Sequence, residues 1–205
     1  METISSIDSQ LFLWLNGQHA GWLDPIMVGI TAMWPWIPLF LLWAFLVIKQ
    51  YGKRCWWIFL AVGVVILCSD QLSAHVCKPL FHRLRPCFNP ELEGLVHLPR
   101  GLPGGRYGFV SSHAANTFAV ATFLTAVLWK RYRWVGWTLF GWALLSSYSR
   151  IYLGVHYPGD ILAGAALGVL IGLIIALLLQ RITKRLSKEL FKDHLDGGAK
   201  LDAPQ

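Results

Sequence analysis

The chain has 205 residues, 55% of them hydrophobic and only 14% charged, with a mean hydropathy of +0.49. A soluble domain carries roughly 25% charged residues, so this balance excludes one and leaves an integral membrane protein. The net charge of +7 would suit a nucleic acid, but the cations are sorted by side of a membrane, which excludes nucleic acid as a partner.

The first sixteen residues, METISSIDSQLFLWLN, have neither a basic leader nor a small-residue cleavage site, so no removable signal is expected. Residues 7–16 are too few to cross a bilayer, which takes about 20. With Trp14 near polar Asn16, Gln18 and His19 they read as an interfacial helix, a tilted sixth span being the alternative. Residues 35–48 become long enough to cross if their helix starts near Asp24 and Pro25. Residues 56–73, 113–129, 134–149 and 160–179 are clear spans. The fold class is therefore all-α: an integral membrane helical bundle of five crossings, or six, forming one domain over residues 1–190. Trp22, Trp34, Trp36, Trp56, Trp57 and Trp134 fall near span ends, as interfacial anchors do. The tail, RITKRLSKELFKDHL, either extends the last helix or lies on an anionic leaflet, and residues 191–205 are expected to be a partly disordered cytoplasmic tail.

Twelve of the eighteen Lys and Arg residues fall in the loops after residues 48, 129 and 180, which the positive-inside rule makes cytoplasmic. The other six are Lys78, Arg83, Arg85, Arg100, Arg106 and Arg150. Orientation does not explain them. Three segments meet on their side: KPLFHRLRP (residues 78–86), VSSH (110–113) and SRIYLGVHYPGD (149–160). Lys78, Arg85 and Arg150 supply cations, with His113, His156, Asp160 and free hydroxyls beside them. Such a set suits a phosphate, whose oxygens take charge-assisted and bidentate donors. One serine of Ser111-Ser112 is expected to cap the following helix, whose free N–H groups would face an anion. Pro158 suits a first helical turn, with His156 just before it and Asp160 inside. An aspartate so placed can hold one ring nitrogen of His156 and leave the other free to attack.

These residues resemble the type 2 phosphatidic acid phosphatase (PAP2) family. Its pattern is lysine, six residues, arginine-proline; then proline-serine-glycine-histidine; then serine-arginine, five residues, histidine, three residues, aspartate. Lys78, Arg85 and Pro86 match the first element, and Ser149, Arg150, His156 and Asp160 match the third. Ser111 and His113 match the second, where Val110 and Ser112 replace proline and glycine. The resemblance implies metal-independent, cofactor-free hydrolysis through a phosphohistidine. The catalytic set would be His156 as nucleophile, Asp160 orienting it, and His113 protonating the leaving oxygen and then activating water. Lys78, Arg85, Arg150 and Ser111, with Ser112 at the same helix start, would bind phosphate. It also implies a lipid phosphate or pyrophosphate substrate among membrane lipids, at the periplasmic side of a bacterial inner membrane. Undecaprenyl pyrophosphate is slightly favoured over lipid A phosphate, with phosphatidylglycerophosphate and phosphatidic acid behind. Oligomeric state is left open.

A lipid transporter is the alternative from another class, but it would pair charges deep inside several spans, and here they sit at one boundary. A non-catalytic scaffold would not need His113, His156 and Asp160 together. Arg83 and His82, at unmatched positions, are expected in loop or rim roles, and His19, His75, His97 and His194 form no metal spacing. Gly164, Gly168 and Gly172 mark a helix-packing seam. Residues 89–108 read equally as a lid or as a passive loop. Cys77 and Cys87 bracket the first motif, and a bridge between them is the lesser of two readings.

Overall fold

The computed structural model describes residues 2–103 and 105–198, with side chains for 6–103 and 105–185. Among these it is all-helical apart from turns and one isolated β-bridge. Helix α1 (Glu2–Asn16) packs across the ends of two later helices, with Phe12 and Asn16 buried. Helix α2 (Asp24–Thr31) begins where Pro25 fits a first turn, as expected, but stops after eight residues. A short turn, Trp34–Trp36, separates it from α3 (Ile37–Tyr51). The cause lies in Pro35 and Pro38, which have no N–H to give and whose rings would clash with the Thr31 and Trp34 carbonyls in a continuous helix. Ala32 is extended there, and Trp36 Nε1 donates to Ile30 O at 2.8 Å.

Gly52, at φ 52°, turns the chain into α4 (Cys55–Gln71). The helical path then continues through a π-turn, Leu72–Cys77, into α5 (Lys78–Phe81), so Lys78 stands in a helix and not in a loop. The wider turn accommodates Pro79, which has no N–H to give and would clash inside a regular helix. His82, at φ 48°, ends the run.

Helix α6 (Ser112–Leu128) is the centre of the bundle, buried on most of its circumference by α4, α7 (Arg133–Tyr152) and α8 (Pro158–Gly198). Pro158 opens α8, and the helical backbone runs on to Gly198, so residues 191–198 extend the last helix; residues 199–205 lie outside the described residues. Gln50 Nε2 and Tyr51 Oη donate to Val127 O at 3.3 and 2.9 Å, which brings the 49–54 and 130–133 basic loops to one end. Ser69 and Asp70 meet Asn116 toward the other end, where all three sequence motifs emerge.

Two helical stretches, Trp34–Phe81 and Pro158–Arg185, are long and apolar enough to cross a membrane, with a shorter apolar helix in Ser112–Leu128. Leu41, Phe45, Leu60, Leu67, Leu144, Leu170 and Leu177 point outward. Such a belt belongs in hydrocarbon and would be an aggregation hazard in water.

The expected seam is present. A Cβ at Gly164 would come within 2.6 Å of Ser111 O, one at Gly172 within 2.5 Å of Ala119 O, and one at Gly168 would overlap Ala115 O. All three obstacles are backbone, so neither helix can yield by turning a side chain. Gly168→Ala is expected to cost about 1–3 kcal/mol of overpacking and to lower Tm by several degrees in detergent. An unchanged Tm would mean that the helices part freely.

Candidate active site

The first motif reaches the site by way of a short extended segment. Leu84 pairs antiparallel with Tyr107, through Arg85 N–H to Arg106 O and Gly108 N–H to Arg83 O, both 2.9 Å. Residues two apart on extended backbone point the same way, so Arg83 and Arg85 both face the hairpin after α7. That pairing also ties down both ends of the 89–108 loop. Its middle is held by Leu92, buried beside Phe12 and Tyr157, and by His97 N, which donates to Asn16 Oδ1 at 2.8 Å.

The hairpin carries the most buried polar groups. Gly154, at φ 72°, turns the chain after α7, and the 96–98 backbone and side chains press so closely on it that a Cβ would meet them at 2.7 Å. His156 and Asp160 are 2% and 0% exposed, although both are ionisable. His156 Nδ1 faces Asp160 Oδ2 at 3.4 Å, and Tyr157 N–H donates to the same oxygen at 3.1 Å. The other ring nitrogen, Nε2, stands 3.4 Å from Arg85 Nη1. Burial pushes the His156 pKa down to about 4; Asp160 opposes the shift, and Arg85 and Arg150 reinforce it. The ring is therefore neutral at physiological pH, and a proton on Nδ1 facing Asp160 leaves the Nε2 lone pair open toward Arg85.

The remaining predicted residues lie near the His156–Asp160 pair. Ser111 is the helix cap: its hydroxyl accepts from Ala114 N–H at 3.4 Å, and its own N–H donates to Asp160 O at 3.1 Å. Ser112 Oγ is buried without a partner. His113, in the first turn of α6, lies within electrostatic reach of Arg150 and His156. Arg150 occupies the last turn of α7, which ends three residues beyond the predicted end of that span. Its Nη1 donates to Thr31 Oγ1 at 2.8 Å, while Nε is left unpartnered. Lys78 lies within reach of Arg85, Arg150, Asp70 and Asp160. Arg85 donates weakly to Val155 O at 3.4 Å and leaves Nε buried and unpartnered. Three cations with unused donors, crowded together in a buried recess, are arranged for an anion that supplies the missing acceptors.

An apolar cavity of about 450 Å³ lies between α3, α4, α6 and α7, with His113 in its lining. It follows α6 from His113 through Asn116 and Val120 to Leu124, with Phe40, Trp43 and Trp142 on the facing walls.

Several residues around the site have roles that the sequence did not assign to them. Arg83 is not a rim residue: it bridges Asp160 at 2.7 Å and Asp8 of α1 at 2.6 Å. Its position two residues before Arg85 on extended backbone is the signal that could have found it. Gly108 presses on the His156–Asp160 pair, and a Cβ there would meet Asp160 Oδ2 and Arg85 Cγ at 3.1 Å. His97 is not isolated either, pairing with Asp24 at 2.9 Å and stacking on His19 at 3.8 Å between ring centroids. Nothing in the sequence linked residues so far apart. His82 stays outside the site, edge-on to Tyr107, and His194 falls outside the described side chains. Cys77 and Cys87 are both free thiols, so the possible bridge around the first motif is not formed. Among the described residues no three His, Cys, Asp or Glu side chains are grouped to hold a metal ion.

A neutral imidazole oriented by a carboxylate and surrounded by cations, at one end of a helical membrane bundle, defines the class as a phosphatase. The PAP2 superfamily profile matches residues 54–184. Lipid A 4'-phosphatase from Bacteroides thetaiotaomicron is 37% identical over 82% of this chain and 75% of its own. The protein of the same name from Porphyromonas gingivalis is 37% identical over 83% and 72%. Among solved structures, the transmembrane PAP2-type phosphatidylglycerolphosphate phosphatase from Bacillus subtilis superposes with a TM-score of 0.64 at 26% identity, covering 89% of each chain. The chain belongs to the PAP2 superfamily, and it is an enzyme.

Proposed function

We propose that the protein removes a phosphate monoester from a lipid A-type glycolipid through a phosphohistidine on His156. The observation that carries the chemistry is the His156 ring, neutral by burial and oriented by Asp160, with Nε2 directed at Arg85. In the first half-reaction Nε2 bonds to phosphorus and the phosphorus–oxygen bond to the lipid breaks. His113, which takes up a proton once the negative phosphate lies beside it, gives that proton to the departing oxygen. In the second, His113 takes a proton from water, the water oxygen bonds to phosphorus, and the phosphorus–nitrogen bond breaks. Inorganic phosphate leaves and His156 is neutral again. Lys78, Arg85 and Arg150 hold the equatorial oxygens as charge shifts across them, aided by the Ser111 and Ser112 hydroxyls. Ser111 can donate its hydroxyl proton to phosphate while still accepting from Ala114 N–H.

The choice of lipid rests on the relatives, whose names favour lipid A over the undecaprenyl pyrophosphate that the sequence reading slightly preferred. The apolar cavity beside His113 supports a lipid substrate in general, because it offers acyl chains a dry path from the phosphate. In this reading the chain crosses five times, with α1 at the interface and the site at the membrane face opposite the basic loops. By the positive-inside rule this is the periplasmic face of a bacterial inner membrane.

The test is phosphate release by the purified protein in micelles from bisphosphorylated lipid A, undecaprenyl pyrophosphate, phosphatidylglycerophosphate and phosphatidic acid, with and without millimolar chelator. Lipid A is expected to have the highest kcat/KM, unaffected by chelator because the phosphate ligands are side chains. A tenfold preference for undecaprenyl pyrophosphate would overturn the substrate reading. Chelator loss reversed by magnesium would overturn the metal-free mechanism.

A further inference from the structure

Asp160 uses its two carboxylate oxygens for different purposes. Oδ2 faces His156 Nδ1 and accepts from Tyr157 N–H, whereas Oδ1 accepts from Arg83 Nη1 at 2.7 Å. A carboxylate with no exposed surface needs a paired cation to offset the cost of its burial. Lys78, Arg85 and Arg150 are nearby, but these are the groups that a bound phosphate engages. Arg83 differs from them. Its second terminal nitrogen, Nη2, donates to Asp8 Oδ2 at 2.6 Å, and its guanidinium lies 4.2 Å over the Tyr157 ring. Both of its forks are committed to carboxylates, so it remains on Asp160 whether or not substrate is bound. Burial works against its charge, yet Asp160 and Asp8 outweigh that and hold its pKa above the ordinary arginine value.

Asp8 is fixed in turn. Its other oxygen accepts from Gly159 N–H at 2.8 Å, in the first turn of α8 where a carboxylate is favoured. A Cβ at residue 159 would meet Asp8 Oδ2 at 2.7 Å, so only glycine leaves room for this contact. Phe12, one turn further along α1, packs edge-on against Tyr157 at 5.4 Å and anchors the same helix to the hairpin.

We infer that Arg83 is a positioning residue of the reaction, holding Asp160 in one orientation so that Oδ2 alone sets the His156 tautomer, and that α1 completes the site by supplying Asp8 to fix Arg83. The inference rests on His156 being the nucleophile. A lysine could pair with one carboxylate as a point charge but could not fork between two. The groups facing the His156–Asp160 pair are Arg83, Arg85 and Lys78 from the segment after α4, His113 from α6, Arg150 from α7, and Asp8 from α1. The reactive state needs His156 neutral, with Nδ1 facing Asp160. Removing the Arg83 charge from beside the pair makes His156 easier to protonate, so the acid limb of kcat must move to higher pH.

The experiment uses the full-length enzyme in micelles with whichever lipid of the panel it turns over fastest. Arg83→Gln, Arg83→Lys, Asp8→Asn and the double Asp8→Asn/Arg83→Gln are compared, with His156→Ala as reference. Arg83→Gln is expected to lower kcat on the order of 10²-fold, the scale of a small misplacement of a reacting group. KM should stay within about twofold, since the phosphate ligands are untouched, and the acid limb should rise. Arg83→Lys should recover part of the rate. Asp8→Asn keeps an acceptor for Gly159 N–H but loses its charge, so it should cost less and add nothing on top of Arg83→Gln. Wild-type kcat in Arg83→Gln beside an inactive His156→Ala would overturn the inference alone, whereas activity in His156→Ala would remove the reading beneath it. A loss of folded protein, with kcat per folded enzyme and the acid limb unchanged, would make Arg83 a stability residue and equally overturn the inference.

Discussion

His156→Ala is expected to abolish turnover, by about 10⁴-fold or more as for other covalent nucleophiles, while the protein remains folded in the membrane. The ring is buried between Asp160 and Arg85, with Nδ1 facing the carboxylate and Nε2 turned toward the guanidinium. The wild-type enzyme should yield an acid-labile phosphoenzyme on rapid quenching, and the variant should yield none. The pH behaviour carries a second signature. Because the folded pKa is pushed down to about 4, the nucleophile stays neutral well below pH 6.5, and no acid limb near the ordinary histidine value should come from it. The sign for stability follows from linkage. Between pH 6.5 and about 4 the unfolded chain takes up a proton at this site that the folded one refuses, so stability is present above 6.5 and lost as pH falls toward 4. The alanine variant lacks this group and should lose less stability over that interval. A His156→Ala protein that turns over lipid phosphate within tenfold of wild type would end the covalent mechanism.

The parts of this site that the sequence discloses share a physical property: each is set by local spacing. Pro158 at a first turn fixes where α8 starts, and that start fixes His156 and Asp160 at one helical step from each other. Ser111 caps α6 because it precedes an apolar helix and can accept from Ala114 N–H. The seam of Gly164, Gly168 and Gly172 follows from a four-residue period on one helix. The parts that stayed hidden depend on pairing between distant segments. Arg83 faces the hairpin only because residues 83–85 pair with 106–108, and a two-residue pairing leaves no periodic trace. Asp8 matters only because α1 lies across the ends of α7 and α8, a placement set by Phe12 and Asn16 finding partners some 140 residues away in the chain. The break between α2 and α3 was within reach of local reasoning, since Pro35 and Pro38 announce it. Hydrophobicity averaged over the segment masked the interruption.

His113→Ala separates the chemistry of the leaving group from the binding of phosphate. His113 stands in the first turn of α6, half-buried, within reach of Arg150 and His156 and at the head of the apolar cavity. That position is where the bridging oxygen of a lipid phosphate would lie, between a phosphate held by the cations and acyl chains running along α6. An alkoxide is a poor leaving group, so departure from a lipid needs a proton in the transition state, and a placed acid contributes about 10²–10⁴-fold. An aryl phosphate with an acidic phenol leaves without that help. His113→Ala is therefore expected to lower kcat on a lipid phosphate by about 10²-fold or more, and to change formation of the phosphoenzyme from an activated aryl phosphate far less. Its second duty, activating water, predicts that phosphoenzyme formed from the aryl substrate accumulates in the variant because breakdown is slowed. Burst kinetics with the aryl phosphate read both effects at once: a retained burst followed by a slow steady state is the expected trace. Equal losses in burst rate and lipid turnover would show that His113 supports the site's shape or charge without transferring a proton. A full-speed steady state would exclude it from the hydrolytic half-reaction.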